Sequence, residues 1–260
     1  MDMKRDYYED VQLCTSGVVA FWLVALLIGL AALPFLASSY TLYMANFLAI
    51  NVIVVIGLNI LVGYAGQVSL GHAGFFAIGA YGTVILMSEA HLPFFAALVL
   101  AALIAAAFGF LLGLPALRLE GPYLAIATLG FGLTITQIIG RIELFGGRQG
   151  LHTPDLIIGP WHLESDRDFY FLLIPITVLL AIAARNLTKT KIGRALIAIR
   201  DAEIAAETLG VNIMGYKTLA FAISAFYAGI GGGLFAFVLR FIEPEIFTLL
   251  MSIMFLAMVV

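Results

Sequence analysis

The segment GLNILVGYAGQVSLGHAGFFAIGAYGT, residues 57–83, is apolar, carries seven glycines and contains no Asp, Glu, Lys or Arg. A long uncharged apolar stretch is typical of a helix that crosses a bilayer. Glycine costs about 1 kcal/mol relative to alanine inside an ordinary helix, so glycine at this density needs a physical reason. In membranes, small residues let helices approach each other closely. The segment therefore predicts a tightly packed transmembrane bundle.

Polar side chains mark the part of this segment where a span begins. A break in a helix at membrane depth is tolerated only where protein or a water-filled cavity satisfies the backbone, and transporters aim the N-termini of broken helices at substrate. We therefore predict a solute path formed by Asn51, Asn59, Gly66, Gln67, Ser69, Gly71 and His72. The alternative for His72 is a hydrogen-bonded packing residue. Simple helix packing is the expectation for Gly74, Gly79, Gly82 and the pairs Gly109/Gly113 and Gly229/Gly233.

The composition of the whole chain also indicates a membrane protein. Apolar residues make up 63% of the chain and charged residues 11%, whereas a soluble domain has roughly 45–50% and about 25%. Apolar runs that predict spanning helices occur at residues 18–37, 42–63, 68–87, 94–114, 123–145, 169–184, 218–239 and 247–260. We therefore predict an all-α, polytopic transmembrane bundle of about eight spans, forming one domain over residues 1–260.

The distribution of basic residues predicts the orientation. With a cytoplasmic N-terminus and alternating spans, the inside holds Lys4, Arg5, Arg118, Arg185, Lys189, Lys191, Arg194, Arg200 and Lys217. The outside holds only Arg141, Arg148, Arg167 and Arg240. Because cytoplasmic loops are enriched in Lys and Arg, a cytoplasmic N-terminus is favoured. Residues 2–12 are polar and mixed in charge, and we expect no cleaved signal peptide.

Two loops are long enough to carry function. Residues 146–168 are predicted to lie outside the cell and contain four acidic residues and two prolines. Residues 193–210, GRALIAIRDAEIAAETLG, predict one amphipathic cytoplasmic helix that begins at Gly193 and ends at Gly210, in which Arg200 and Glu203 can pair. Such a helix either lies on the lipid surface or docks into a partner protein. Its polar face carries both signs of charge, which favours a protein partner.

Several classes of protein are disfavoured. The spans show no relay of Asp, Glu or His, which argues against a proton-coupled carrier. The sequence lacks the G-x-x-x-x-G-K-[ST] phosphate-binding loop, so any ATP would be bound by another polypeptide. Cys14, as the only cysteine, has no partner for a disulfide or a metal site. We expect no enzymatic activity, no cofactor or metal bound by this chain, and no nucleic-acid partner.

Three segments together resemble a known family. Residues 57–83, residues 121–134 (GPYLAIATLGFGLT) with the glycines that follow at 146, 147 and 150, and residues 193–231 occur in the order seen in it. They resemble the permease subunits of branched-chain amino acid ABC importers, in particular the LivM-type subunit. The resemblance covers roughly residues 45–260.

This resemblance implies an ABC importer permease fold and a set of partners. Such a subunit pairs with a second homologous permease, two cytoplasmic ATPase subunits and an extracytoplasmic binding protein that delivers leucine, isoleucine or valine, in the inner or plasma membrane of a prokaryote. It moves solute by alternating access. The cytoplasmic loop would couple to the ATPase through Gly193, Arg194, Arg200, Asp201, Glu203, Ala205, Ala206 and Gly210.

The sequence departs from the family pattern in two places. ABC importers share a Glu-Ala-Ala motif with a later Gly; Ala205, Ala206 and Gly210 fit it, but Ile204 occupies the Glu position. Family members also continue beyond the apolar run at which this sequence stops, so we expect a truncated last span. Two alternative functions stay open: a related ABC permease for urea, amides or nucleosides, and a self-contained channel or ion-coupled carrier.

Overall fold

A computed structural model describes residues 17–116, 119, 121–158, 161–163 and 165–260. The predictions for the uncleaved N-terminus, Cys14 and Arg118 lie outside these residues. The described part of the chain forms ten α-helices: α1 Gly17–Leu36, α2 Ser39–Asn59, α3 His72–Ser88, α4 Phe94–Ala116, α5 Pro122–Ile139, α6 Asp166–Lys189, α7 Lys191–Asp201, α8 Glu203–Thr208, α9 Ile213–Leu239 and α10 Leu249–Val259. Four two-residue strands accompany them: β1 Leu151–His152, β2 Ile157–Ile158, β3 Trp161–His162 and β4 Phe241–Ile242.

Apolar helices stand at all eight of the predicted positions. Among the described residues, five are long and apolar enough to cross a membrane: Ser39–Tyr64, Phe94–Pro115, Pro122–Ile139, Asp166–Lys189 and Ile213–Leu239. Three shorter apolar helices are Val24–Leu36, His72–Ser88 and Leu249–Val259. The all-helical, polytopic class is therefore confirmed, while the count of eight spans and the orientation stay predictions.

Helix α9 forms the centre of the bundle and packs against α2, α3 and α4. Its glycines permit this arrangement, because a Cβ added at Gly229 would lie 2.9 Å from Cα of Ala102. A Cβ at Gly232 would collide with the backbone oxygen of Phe76 on α3. On α4, a Cβ at Gly109 would lie 2.6 Å from Cβ of Ala225. The prediction that Gly109 and Gly229 serve close helix packing is confirmed, and Gly232 serves it as well.

The loop of residues 146–168 is held at one end of the bundle, which we call the strand end. β1 in this loop pairs with β4, which follows α9, so that Leu151 lies opposite Ile242 and His152 opposite Phe241. A Ser165 cap then starts α6, with its side chain accepting a hydrogen bond from the backbone N–H of Arg167. At the opposite end, α7 and α8 connect α6 to α9, and we call this the α7–α8 end.

Candidate translocation and coupling site

Helix α2 ends in an irregular turn that leads into a break. Residues Ile60–Tyr64 form a π-helical turn, a feature that is frequent at functional sites. The chain then turns at Gly66, whose φ of +69° strongly favours glycine. The next helix, α3, begins only at His72. The predicted span over residues 68–87 is therefore wrong at its start, because the backbone of residues 68–71 is not helical.

The break extends from the α7–α8 end into the interior of the bundle. At its outer end, a Cβ built on Gly66 would lie 2.9 Å from Cγ of Arg200 on α7. At its inner end, His72 Nε2 lies 2.7 Å from Oγ of Ser224, which stands near the middle of α9. The N-terminus of α3 is thus directed into the bundle at about half its depth. Transporters place substrate and ion sites at broken helices of this kind.

Hydroxyl groups from three other helices surround this helix start. Thr128 of α5 accepts a hydrogen bond from the backbone N–H of Leu70 at 2.9 Å. Ser252 of α10 accepts one from the backbone N–H of Ala73 at 2.9 Å. His72 completes the group, with Nδ1 3.1 Å from Oγ of Ser69 and Nε2 close to Ser224. We call Ser69, His72, Thr128, Ser224 and Ser252 the interior polar network; all five are buried.

Three members of the interior polar network, Thr128, Ser224 and Ser252, were not predicted from the sequence. Serine and threonine are common in apolar spans, and nothing nearby in the sequence marks Thr128, Ser224 or Ser252. The available signal was indirect: Thr128 and Ser224 lie in the two other segments that carry the family resemblance. The structure brings those segments to one place.

Glycine lets the backbone of the break approach α5. A Cβ at Gly71 would collide with the carbonyl oxygen of Thr128, and one at Gly74 would lie 2.9 Å from Cα of Gly132. The cavity beside this crossing, lined by Ala73, Gly132 and Ser252 among others, has a volume of about 10 Å³. That is room for about one water molecule. The bundle is therefore closed around the interior polar network in this conformation.

The other predicted path residues lie in different surroundings. Gln67 is buried and its Oε1 has no hydrogen-bond partner, whereas Gly66 is exposed. Asn51 donates from Nδ2 to the carbonyl oxygen of Phe47 within its own helix, at 2.8 Å. Asn59 is exposed beside Gly63. The structure brings Ser69, Gly71 and His72 together and keeps Asn51 and Asn59 apart from them.

The predicted continuous helix over residues 193–210 is wrong, because the chain forms two helices there. Helix α7 begins at Lys191 with Thr190 as its N-cap, so Gly193 lies inside it, in contact with the backbone of Thr188. Ala202, with φ −158° and ψ 87°, separates α7 from α8. Gly210 follows the end of α8 with a φ of +82°, as expected for a glycine that ends a helix.

The break at Ala202 also changes the ion pairs. The predicted pair between Arg200 and Glu203 does not form. Arg200 instead pairs with Asp201 at 2.9 Å and donates from Nη1 to the carbonyl oxygen of Gly63 at 2.6 Å. Glu203 pairs with Lys217 of α9, with Nζ 2.6 Å from each carboxylate oxygen. The two helices are thus bonded to different parts of the bundle: α7 to the end of α2, and α8 to α9.

Helix α8 presents apolar side chains to its surroundings. Ile204 is 81% exposed and Leu209 is 84% exposed, while Ala206 between them is buried. Of the other predicted coupling residues, Arg194 and Ala205 are exposed. The exposure of Ile204 and Leu209 leaves an apolar surface at the α7–α8 end.

Clusters of side chains that could bind a metal ion are a further feature to examine in the described part of the chain. Within the described residues, no group of three or more His, Cys, Asp or Glu side chains could hold a metal ion. A bundle of apolar helices with a broken helix at mid-depth, an interior polar network and exposed helices at one end has the features of a membrane permease.

Comparison with known proteins gives the family. Residues 40–260 match the family described as branched-chain amino acid transport system / permease component, and the chain belongs to this family. It is 39% identical over 264 residues to the high-affinity branched-chain amino acid transport system permease protein LivM of Escherichia coli (strain K12), covering 92% of this chain and 62% of that protein.

Two other relatives are also named as branched-chain amino acid transport permease proteins. The protein of the same name from Salmonella typhimurium is 38% identical over 264 residues, again covering 92% of this chain and 62% of the relative. A probable branched-chain amino acid transport permease protein LivM from Methanocaldococcus jannaschii is 28% identical over 144 residues, covering 54% of this chain and 42% of the relative. The chain thus spans about three fifths of the length of the first two relatives. No solved structure matches it.

Proposed function

We propose that this chain forms the translocation path of an ATP-driven importer for leucine, isoleucine and valine. The observation that carries the proposal is the family match over residues 40–260, together with relatives named for branched-chain amino acid transport. The alternative solutes, urea, amides and nucleosides, have no such support among these relatives. The chain acts as a transport subunit without its own ATPase site.

The path is proposed to pass the break between α2 and α3. Its residues are Gly66, Gln67, Ser69, Gly71 and His72, with Asn51 and Asn59 further along α2. The N-terminus of a helix carries partial positive charge, so the start of α3 suits the carboxylate of an amino acid. Because the cavity there holds about one water molecule, entry of solute requires the helices around the interior polar network to separate, as alternating access demands.

The coupling element is proposed to be the pair α7 and α8. Gly193, Arg194, Arg200, Asp201, Glu203, Ala205, Ala206 and Gly210 shape it. The exposed side chains of Ile204 and Leu209 supply the apolar surface that an ATPase subunit covers. Truncating both to alanine should abolish binding of that subunit while leaving membrane insertion intact.

The assembly follows from this assignment. One such subunit pairs with a second homologous permease above two ATPase subunits, in the inner or plasma membrane of a prokaryote. The N-terminus and the α7–α8 end face the cytoplasm. The strand end, with residues 146–168, faces the solute-binding protein outside.

Co-purification tests the proposal. A tagged form of this chain, expressed with candidate ATPase subunits and a second permease, should retain the ATPase in detergent. The ATPase activity of the complex should rise with loaded binding protein and leucine, isoleucine or valine, and stay at its basal rate with urea or nucleosides. Stimulation by urea or nucleosides instead would contradict the assignment of the solute.

A further inference from the structure

Lys217 is a buried charge, and neither the family resemblance nor the proposed path assigns it a role. Among the described residues it is the only Lys or Arg that is buried, with 8% of its surface exposed. Moving an ammonium group out of water is unfavourable unless an opposite charge accompanies it. Glu203 supplies that charge, with both carboxylate oxygens 2.6 Å from Nζ. The pair joins α8 to α9 across the chain reversal at residues 209–212.

Few other contacts connect α8 to the bundle. The helix has six residues, of which only Ala206 is buried. The chain on either side of α8 bends sharply, at Ala202 before it and at Gly210 after it. Ile204 and Leu209 are both largely exposed. The ion pair is therefore the main polar connection through which a displacement of α8 reaches α9.

Helix α9 extends that connection to the interior polar network. Lys217 and Ser224 are seven residues apart, so they lie on the same face of the helix. Ser224 in turn contacts His72 at 2.7 Å. At the next residue, Thr218 packs against Gly113 of α4, which makes α9 a firmly packed element at this level.

We propose that Lys217 is a positioning residue of the transport cycle: its ion pair with Glu203 transmits movement of α8 to α9 and so to the contact between Ser224 and His72. This proposal rests on the proposed function, because it assumes that an ATPase subunit moves α8. Arg200 makes a separate connection, from α7 to the carbonyl oxygen of Gly63. Lys217 acts on the central helix, and Arg200 acts on the end of α2.

The test uses the complete complex in proteoliposomes. Lys217→Met keeps most of the length of the side chain and removes the charge. We expect uptake of radiolabelled leucine per ATP hydrolysed to fall about tenfold, within the range of coupling effects between sites, while ATP hydrolysis continues. The charge swap Lys217→Glu with Glu203→Lys should restore the ratio to near the wild-type value. Arg141→Met and Glu89→Gln, which change exposed charges outside α7 and α8, should leave it unchanged.

A readout that does not depend on solute separates this proposal from the proposed function. In a Cys14→Ser background, Val68→Cys places a partly exposed thiol in the break, since Val68 is 38% exposed. With Lys217 present, ATP should change the rate at which a maleimide alkylates this thiol; with Lys217→Met it should not. Absent leucine uptake in the wild type would overturn the solute assignment alone. A wild-type alkylation response in Lys217→Met, or a charge swap no better than the single variants, would overturn the role of Lys217.

Discussion

At the scale of residues, small hydroxyl groups replace backbone hydrogen bonds that the break in the helix removes. In the hydrocarbon region no water is available to satisfy a free N–H group. Thr128 and Ser252 accept from the backbone N–H groups of Leu70 and Ala73, and Ser224 supports the imidazole of His72. The interior polar network therefore lets a helix begin inside the bundle.

Removing Ser224 should destabilise the bundle. Ser224→Ala leaves Nε2 of His72 buried without its partner, which costs about 1–3 kcal/mol for a buried polar group. Thermal unfolding of the purified protein in detergent should show a lower midpoint. Thr134→Ala is the control, because Thr134 bonds only to the carbonyl oxygen of Gly130 in its own exposed turn. Equal midpoints for the two variants would contradict the role of Ser224.

A methyl group at Gly71 should separate α3 from α5. Gly71→Ala forces a Cβ against the carbonyl oxygen of Thr128, and overpacking of this kind costs about 1–3 kcal/mol. The matched control is Gly130→Ala on α5, where a Cβ meets nothing within 4 Å. We expect a lower unfolding midpoint and reduced leucine uptake for the first variant and neither effect for the second. If both variants behave like the wild type, the close crossing at Gly71 is wrong.

At the scale of elements, the break at Ala202 divides the proposed coupling segment into two helices with separate attachments. Helix α7 is bonded through Arg200 to the π-helical turn that ends α2, and α8 is bonded through Glu203 to α9. A force on this segment can thus move the end of α2 and the central helix by different amounts. The two routes meet at His72, which contacts Ser69 from the break and Ser224 from α9.

Gly210 should be needed for its backbone conformation and not for space. Its φ of +82° is unfavourable for residues with a Cβ, although an added Cβ would meet no atom within 4 Å. Asparagine tolerates this left-handed region far better than a β-branched residue does. We expect Gly210→Val to uncouple ATP hydrolysis from leucine uptake and Gly210→Asn to keep most of the coupling. Coupling that is equal in the two variants would contradict this account.

Arg200 should matter for the hydrogen bond that it donates to α2. Arg200→Met retains the apolar stem that lies against Gly66 but removes the bond to the carbonyl oxygen of Gly63. Uptake per ATP hydrolysed should fall, while insertion into the membrane stays normal. Arg141→Met, which changes an exposed arginine outside the proposed coupling element, provides the control. A normal ratio of uptake to ATP hydrolysis for Arg200→Met would show that the hydrogen bond to the end of α2 takes no part in coupling.

At the scale of the whole molecule, hydropathy and glycine spacing suffice to predict where the helices lie and how closely they pack. These are local properties, so the positions of the apolar helices and the packing at Gly109 and Gly229 could be predicted. The interior polar network could not, because His72 and Ser224 are 152 positions apart in the sequence. The break at Ala202 also has no local signal, since no Gly or Pro stands beside it.

In the proposed function, this chain provides a path that opens only under the action of a separate ATPase. Uptake of radiolabelled leucine into proteoliposomes, with binding protein outside and ATP inside, tests it most directly. We predict ATP-dependent uptake by the complete complex, and none when the ATPase subunits are omitted or the ATP is replaced by a non-hydrolysable analogue. Leucine flux through vesicles that contain this chain alone would contradict the account and identify a self-contained channel or carrier.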